Sequence, residues 1–362
     1  MFVSEVALSN FRNYEKLNIK LSSGTNILYG DNAQGKTNLL EAIYMTATTK
    51  SHRGAKDRDI IRIGCDDAHI RLILSKRDVS ERVDMHLRKS KAKGVAINGI
   101  PIRRSTELLG LMHVIAFSPE DLYVIKRGPG ERRRFMDIEI SQLDRVYNSN
   151  LQEYNKILEQ RNNLLKQLYG GNEKSLLDTL DVWDSILSKS GKEIIAQRRR
   201  FIDKLNTIIE DMHGRLTDGK EAIKLLYEPN VSEEEIENSL RLKRNLDRRM
   251  KMTMTGPQRD DMGIFINGTD ARIYGSQGQQ RTAALSLKLS EIELVKDIIN
   301  DNPILLLDDV MSELDEKRRD ALLRSIADIQ TVITCTGYDS FIKERVKSDS
   351  VYRVERGRIT EE

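Results

Sequence analysis

Cysteine is almost missing from this 362-residue chain, with only Cys65 and Cys335, far apart in sequence. That excludes a disulfide framework and any paired-thiolate zinc spacing, and it suits a reducing compartment. The five histidines (His52, His69, His86, His113, His213) are scattered, so no zinc site is implied. No stretch reaches the roughly 18 apolar residues of a membrane span, and the opening MFVSEVALSNF lacks a basic start followed by a long apolar run. The expectation is a cytoplasmic protein with no membrane partner. Charge of one sign is lacking too: the net value is +3, so affinity for nucleic acid must come from local clusters of Lys and Arg. Aromatic residues are 5% of the chain, and few stand among those cations, which gives base stacking on single strands little support. The single tryptophan, Trp183, lies on an apolar stripe and reads as core.

What is present suffices for a core, since 39% of residues are hydrophobic. The length argues for two domains, or for one domain carrying a large insertion. Short alternating runs from Phe2 to Leu28 predict three strands, a glycine-rich turn and a helix come next, and further alternation ends at the hairpin signal Asn98-Gly99. Beyond Glu139 apolar residues recur at three- and four-residue steps from Leu151 to Leu168 and from Leu176 to Ile208. Two antiparallel helices joined at Gly170-Gly171 are expected, with seams too irregular for a long coiled coil. A further helix is predicted from Ser232 to about Met250, then a hairpin turning at Asn267-Gly268, a helix over 277–299, a buried strand over 304–307, a helix over 316–327 and a strand over 331–334. The α/β pattern at both ends predicts one domain, 1–125 with 255–362, interrupted by a helical arm, 126–254.

Asn26 to Tyr29 is a short apolar strand that runs into Gly30-Asp31-Asn32-Ala33-Gln34-Gly35-Lys36-Thr37 ahead of a helix. This is G-x-x-x-x-G-K-[ST] in its confirming strand-loop-helix context. Inward-pointing N–H groups at a helix start form a concavity for phosphate oxygens, Lys36 would neutralise the β- and γ-phosphates of ATP, and Thr37 would ligate Mg2+. Such a loop needs a carboxylate at the end of a buried strand. Ile304 to Leu307 followed by Asp308 and Asp309 supplies one, with Asp308 on the metal side and Asp309 placed to orient or deprotonate the attacking water. The long separation of Lys36 from Asp308 is what an inserted arm would produce.

Tyr274-Gly275-Ser276-Gln277-Gly278-Gln279-Gln280 opens the 277–299 helix and offers a hydroxyl, exposed backbone and a helix N-terminus. With the two preceding motifs it resembles the ABC/SMC-type P-loop ATPase head: an α/β fold with a strand-rich lobe and, here, an inserted arm. The resemblance implies a signature segment (Ser276, Gly278, Gln279) that acts in trans on nucleotide held by a second copy, and a D-loop ending at Asp315. More narrowly, Leu8-Ser-Asn-Phe-Arg-Asn-Tyr14, Phe117-Ser-Pro-Glu-Asp-Leu122, Arg132-Arg-Arg-Phe-Met-Asp137, Thr255-Gly-Pro-Gln-Arg-Asp-Asp261 and Gly275-Ser-Gln-Gly-Gln-Gln-Arg281 are similar to the RecF family of DNA-repair proteins across nearly the whole chain. That resemblance implies ATP-dependent homodimerisation on DNA, slow DNA-dependent ATP hydrolysis, and work with RecO and RecR in loading RecA at single-strand gaps, in replication fork recovery and the SOS response. It also implies nucleotide contact by Arg12. Three positions depart from the usual pattern. Asp309 stands where ABC proteins carry a catalytic glutamate, as the RecF group generally has, the strand at 331–334 brings no switch histidine, and Gln258 replaces a frequent histidine. Thr334 or Thr336 is a candidate for the missing γ-phosphate contact, and the Q-loop role falls near Ser118 to Glu120.

Three basic clusters are candidates for phosphate contact with duplex DNA: Arg88, Lys89, Lys91, Lys93, Arg103 and Arg104; Lys126, Arg127, Arg132, Arg133 and Arg134; and the cations from Arg241 to Lys251. Any one of them could equally be a solvated face. Two other functions share the head: a structural SMC-like DNA clamp and an ABC transporter nucleotide subunit. The arm, the basic clusters and the absent switch histidine disfavour the transporter.

Overall fold

The computed structural model describes residues 1–76, 79–167, 174–337, 346 and 348–362. In chain order β1 (Phe2–Phe11), β2 (Tyr14–Lys20) and β3 (Thr25–Tyr29) lead to α1 (Lys36–Thr48) and α2 (Asp57–Ile60). Next come β4 (Asp67–Lys76), β5 (Val79–Arg88), β6 (Gly94–Ile97), β7 (Ile100–Pro101) and β8 (Val114–Phe117). Helices α3 (Leu122–Lys126), α4 (Pro129–Leu143), α5 (Arg145–Gln167) and α6 (Lys174–Thr217) follow, then β9 (Ile223–Glu228), α7 (Ile236–Leu242), α8 (Arg244–Met250), β10 (Asp261–Ile266), β11 (Thr269–Asp270) and α9 (Gln277–Ile299). The chain closes with β12 (Ile304–Asp308), α10 (Glu316–Ser325), β13 (Thr331–Cys335), β14 (Ser350–Glu355) and β15 (Arg358–Glu361).

Two compact units divide the chain: residues 1–121 with 288–362, and residues 122–287. The first holds two six-stranded sheets. One, ordered β2-β1-β4-β5-β6-β7, is antiparallel throughout, as its alternating strands require. The other runs β15-β14-β3-β13-β12-β8, parallel except for the closing β14–β15 hairpin. Within it β12 sits between β13 and β8, which is why Ile304 to Leu307 are apolar without alternation and all buried. This order brings the carboxyl ends of β3 and β12 to one edge, separated only by β13, and that edge is where ligands bind in parallel α/β sheets.

In the second unit α5 and α6 are antiparallel. Arg161 bonds Asp184, Ser190 bonds Glu153, and Arg198 bonds Tyr147, so one number rises as the other falls. Trp183 packs on Leu164, Leu165 and Leu180, as its stripe predicts. The Gly170-Gly171 turn lies outside the described residues. Two arginines tie the unit together. Arg161 reaches Asp184 at 2.6 Å and Asp247 at 2.7 Å, and Arg198 reaches Asp137 at 2.8 Å and Asp260 at 3.0 Å, with both guanidinium groups buried. Such pairs add little net stability over apolar packing, but breaking one partner is costly.

Three expectations differ from the structure. Segment 255–287, expected with the head, belongs to the second unit, because β10 pairs along its whole length with β9. Strand β9 was not expected, although Ile223, Leu225 and Tyr227 alternate as its buried face. The helix expected from Ser232 to Met250 is two short helices, Ile236–Leu242 and Arg244–Met250, that break at Lys243.

Candidate functional site

The loop after β3 is shaped by backbone that only small residues permit. Gly30 has φ 151° and a Cβ there would meet Val354 O at 2.3 Å; Gly35 has φ 122° and a Cβ there would meet the Asn13 side chain at 2.6 Å. Helix α1 starts at Lys36 with no side-chain cap, which leaves its first N–H groups facing the loop. The Lys36 ammonium folds back across the loop and donates to Gly30 O at 2.6 Å and Asp31 O at 2.8 Å. Asp31, Asn32 and Ala33 are exposed at the loop tip, and Ala33 is left-handed at φ 64°.

The tertiary fold closes the distance between the loop and the β12 carboxylate. The Thr37 hydroxyl donates to Asp308 Oδ1 at 2.8 Å across 271 residues of sequence, and the buried Thr334 hydroxyl donates to the same oxygen at 2.7 Å. A hydroxyl and a carboxylate oxygen in contact form a donor set suited to a hard cation such as Mg2+, which takes few protein ligands and completes its shell with water and phosphate. Asp309 is left-handed at φ 58°, and its N–H is held by Thr334 O at 3.3 Å and Thr334 Oγ1 at 3.0 Å. Burial raises its carboxyl pKa, the neighbouring Lys36 opposes that, and Asp308 adds to it. Thr334 is therefore engaged in the β12 end, while Thr336 is exposed. Ser118 N donates to Asp121 Oδ2 at 2.6 Å just past β8, the strand beside β12.

Arg12 is bound to α1 and to α2, the short helix after it. Its Nε and Nη2 each donate to Glu41 at 2.8 Å and its Nη1 donates to Asp59 O at 3.0 Å. Ser51 donates a further bond to Glu41, which is fully buried on α1. Burial pushes the Glu41 carboxyl up, but the bonds from Arg12 and Ser51 outweigh it and hold the pKa below the ordinary range. His52, in edge contact with Tyr44, has its pKa lowered, mainly by burial.

In the second unit Ser276 and Gln279 form a reciprocal capping box at the start of α9: Ser276 N donates to Gln279 Oε1 at 2.9 Å, and Gln279 N donates to Ser276 Oγ at 3.2 Å. Gln279 also donates to Glu221 at 3.0 Å, so its side chain is spent on local structure. Gln280, which sequence reasoning did not single out, holds the preceding loop through Ala271 O at 2.9 Å. A Cβ at Gly278 would meet only Ser276 Oγ at 3.9 Å, and its carbonyl accepts from Thr282 Oγ1 at 2.8 Å. In the first unit Asp315 caps α10 by accepting from Arg318 N at 3.0 Å.

The basic clusters separate on burial. Arg88, Lys89, Lys91, Arg103 and Arg104 are exposed, although Lys89 lies 3.5 Å from Asp66. Lys93 is tied to Thr49 O and Asp57. Arg132 is not a surface cation: it is buried in a two-point pair with Asp261 at 2.6 and 2.9 Å, because α4 packs on β10 there. Arg133 is half-buried, donating to Asp260 O at 2.6 Å. In the third cluster Arg244 is held by Asp181 and Asp184, whereas Lys243 and Arg249 have no carboxylate partner among the described residues.

The family model described as the RecF/RecN/SMC N terminal domain matches residues 2–360. A DNA replication and repair protein RecF of Lachnoclostridium phytofermentans is 56% identical over 359 residues, covering 99% of both chains, and one of Clostridium botulinum is 43% identical over 365 residues with 99% of both covered. A solved structure of the recombination mediator protein RecF with ATP, in the RecFOR pathway, aligns at TM-score 0.92 and 34% identity, covering 100% of this chain and 97% of that one. An Smc head bound to the C-terminal winged-helix domain of ScpA aligns at TM-score 0.59 and 14% identity, a likeness of fold alone. With a matching family model over nearly its whole length and relatives this similar, the chain belongs to the RecF family of DNA replication and repair proteins, within the RecF/RecN/SMC group.

Proposed function

We propose that this chain binds Mg-ATP in the Gly30–Thr37 loop and uses it to bring two copies together on DNA, with slow hydrolysis resetting the pair. The observation that carries the reading is the Thr37–Asp308–Thr334 cluster, which joins the loop to a carboxylate 271 residues away at the carboxyl end of a buried parallel strand. ATP bound by a solved relative supports it. Thr37 and Asp308 would hold Mg2+, whose chemistry there is to neutralise charge on the β- and γ-phosphates. Lys36 exchanges its two carbonyl partners for phosphate oxygens, and the amides of α1 add the helix-start field.

Asp309 is the proton acceptor for the attacking water. Its short side chain, fixed by the left-handed backbone, limits its reach, which fits slow turnover. Ser276 and Gly278 stand at a helix start uncrowded on the Cβ side of Gly278, a place suited to phosphate held by a second copy. The exposed cations at 88–91 and 103–104 would contact the duplex backbone without reading sequence. The chain would work with RecO and RecR in RecA loading at single-strand gaps, in fork recovery and in the SOS response, a reading supported by family membership and by the RecFOR pathway of the solved relative.

The test is mass in solution with Mg-ATP, with and without duplex and gapped DNA. The reading expects dimers with ATP and tighter DNA binding; a chain that stays monomeric with unchanged DNA affinity refutes it. Ser276→Arg should retain ATP binding and lose both dimerisation and hydrolysis, and normal turnover in that variant would remove the trans role.

A further inference from the structure

Gln34, the fifth residue of the loop, is held from outside by two segments remote in sequence. Its carbonyl accepts from Asn13 Nδ2 at 2.7 Å and from Gly357 N at 3.1 Å, and its side-chain Oε1 accepts from Arg356 N at 2.6 Å. Asn13 is itself fixed by Asn38 Nδ2 on α1, at 2.8 Å. The 356–357 turn closes the β14–β15 hairpin with two left-handed residues, φ 48° and 73°, and a Cβ at Gly357 would meet Asn13 O at 2.9 Å. One residue further on, the Tyr14 hydroxyl donates to Gly35 O at 2.9 Å.

A trans peptide is planar, so the C=O of one residue and the N–H of the next point in opposite directions. Drawing the Gln34 carbonyl outward onto Asn13 and Gly357 therefore turns the Gly35 N–H inward. Drawing the Gly35 carbonyl onto Tyr14 and the first turn of α1 does the same for Lys36 N–H. We infer that Asn13 and the Arg356–Gly357 turn are positioning residues for nucleotide: they set the direction of the two loop amides that face phosphate, and they make the C-terminal hairpin part of the site. Gln34 is then a strut, its side chain committed to Arg356 backbone instead of to ligand. This rests on the ATP reading above. The amides act on bound phosphate whether or not hydrolysis proceeds, so the brace governs affinity and leaves the chemical step to Asp308 and Asp309.

The experiment compares the full chain with Asn13→Ala, Gln34→Ala and the double variant. It measures mant-ATP affinity with Mg2+, hydrolysis at saturating ATP, thermal midpoint, and amide hydrogen exchange over residues 30–37. Each single variant should weaken nucleotide affinity about 3- to 10-fold, the span expected for losing one hydrogen bond at Gln34, with Asn13→Ala also releasing its bond from Asn38. Saturated turnover of Asn13→Ala, which lies outside the loop, should stay within about twofold, since the bonds lost touch no reacting atom. The midpoint should be unchanged and exchange over 30–37 faster. Because both act through one peptide, the double variant should fall short of the product of the singles. Wild-type affinity in both single variants overturns the inference, and so does a parallel fall of affinity, turnover and midpoint, which marks a merely structural role. If the unaltered chain binds no nucleotide, the ATP reading fails first and the brace with it.

Discussion

Replacing Arg12 by methionine separates a nucleotide ligand from a structural anchor. The guanidinium makes three bonds, two of them to Glu41, whose side chain is 0% exposed, while that of Arg12 is 21% exposed. Removing one partner of a fully buried pair costs about 3–5 kcal/mol. Here Ser51 remains as a donor to Glu41 and Arg12 is partly solvated, so the expected loss at neutral pH is about 2–4 kcal/mol. For a unit of this size that is a fall in thermal midpoint of roughly 5–15 °C. The pH dependence carries the sign. In the wild type the Glu41 pKa lies below its ordinary value of 4.5, so the pair stabilises above the carboxylate range and fades as pH falls through the lowered value. Without Arg12 burial dominates and raises that pKa, so Glu41 takes up a proton on mild acidification and the penalty shrinks. Calorimetry at about pH 8 and about pH 5 should therefore show a smaller difference from wild type at the lower pH, and Arg12→Met with Glu41→Met should recover most of the loss. A midpoint lowered by less than about 2 °C together with lost ATP affinity would refute the anchor and return Arg12 to the nucleotide.

Lys36→Ala should lower ATP affinity by about 100-fold or more in an equilibrium titration, since two charge-assisted contacts are lost. Asp309→Asn should keep ATP binding and let the ATP dimer persist while turnover drops by about 10²- to 10⁴-fold; an unaltered hydrolysis rate would remove Asp309 from its role. His213, buried against Ser286 at 2.8 Å and Glu221 at 3.4 Å, has its pKa lowered from 6.5, by burial first. A lowered histidine pKa means that the unfolded chain binds the proton more readily, so this residue's contribution is present above 6.5 and lost as pH falls through the lowered value. Melting curves from about pH 7.5 to about 5.5 should show a declining midpoint, and His213→Gln should flatten that part of the slope.

The phosphate loop was legible because its determinants are local: glycine φ values, a lysine and a hydroxyl at set spacing, and an apolar strand ahead of them. The 304–307 strand was legible because a strand buried on both faces cannot alternate. What Arg12, Arg132 and Gln279 do was not legible, since an arginine or glutamine looks the same whether it meets a ligand or a buried partner from another element. Arg132 faces Asp261 only because α4 packs on β10, and Gln279 is turned inward by its own capping box and Glu221.

The sequence by itself determined the loop, the β12 carboxylates and the helical middle, because periodicity and short-range stereochemistry act over a few residues. The tertiary structure alone decided that Thr37, Asp308 and Thr334 meet on one carboxylate oxygen, that residues 255–287 join the second unit, and that the C-terminal turn holds the loop. Those depend on strand order and pairing, which place residues hundreds of positions apart within one hydrogen bond and leave no periodic trace in the chain.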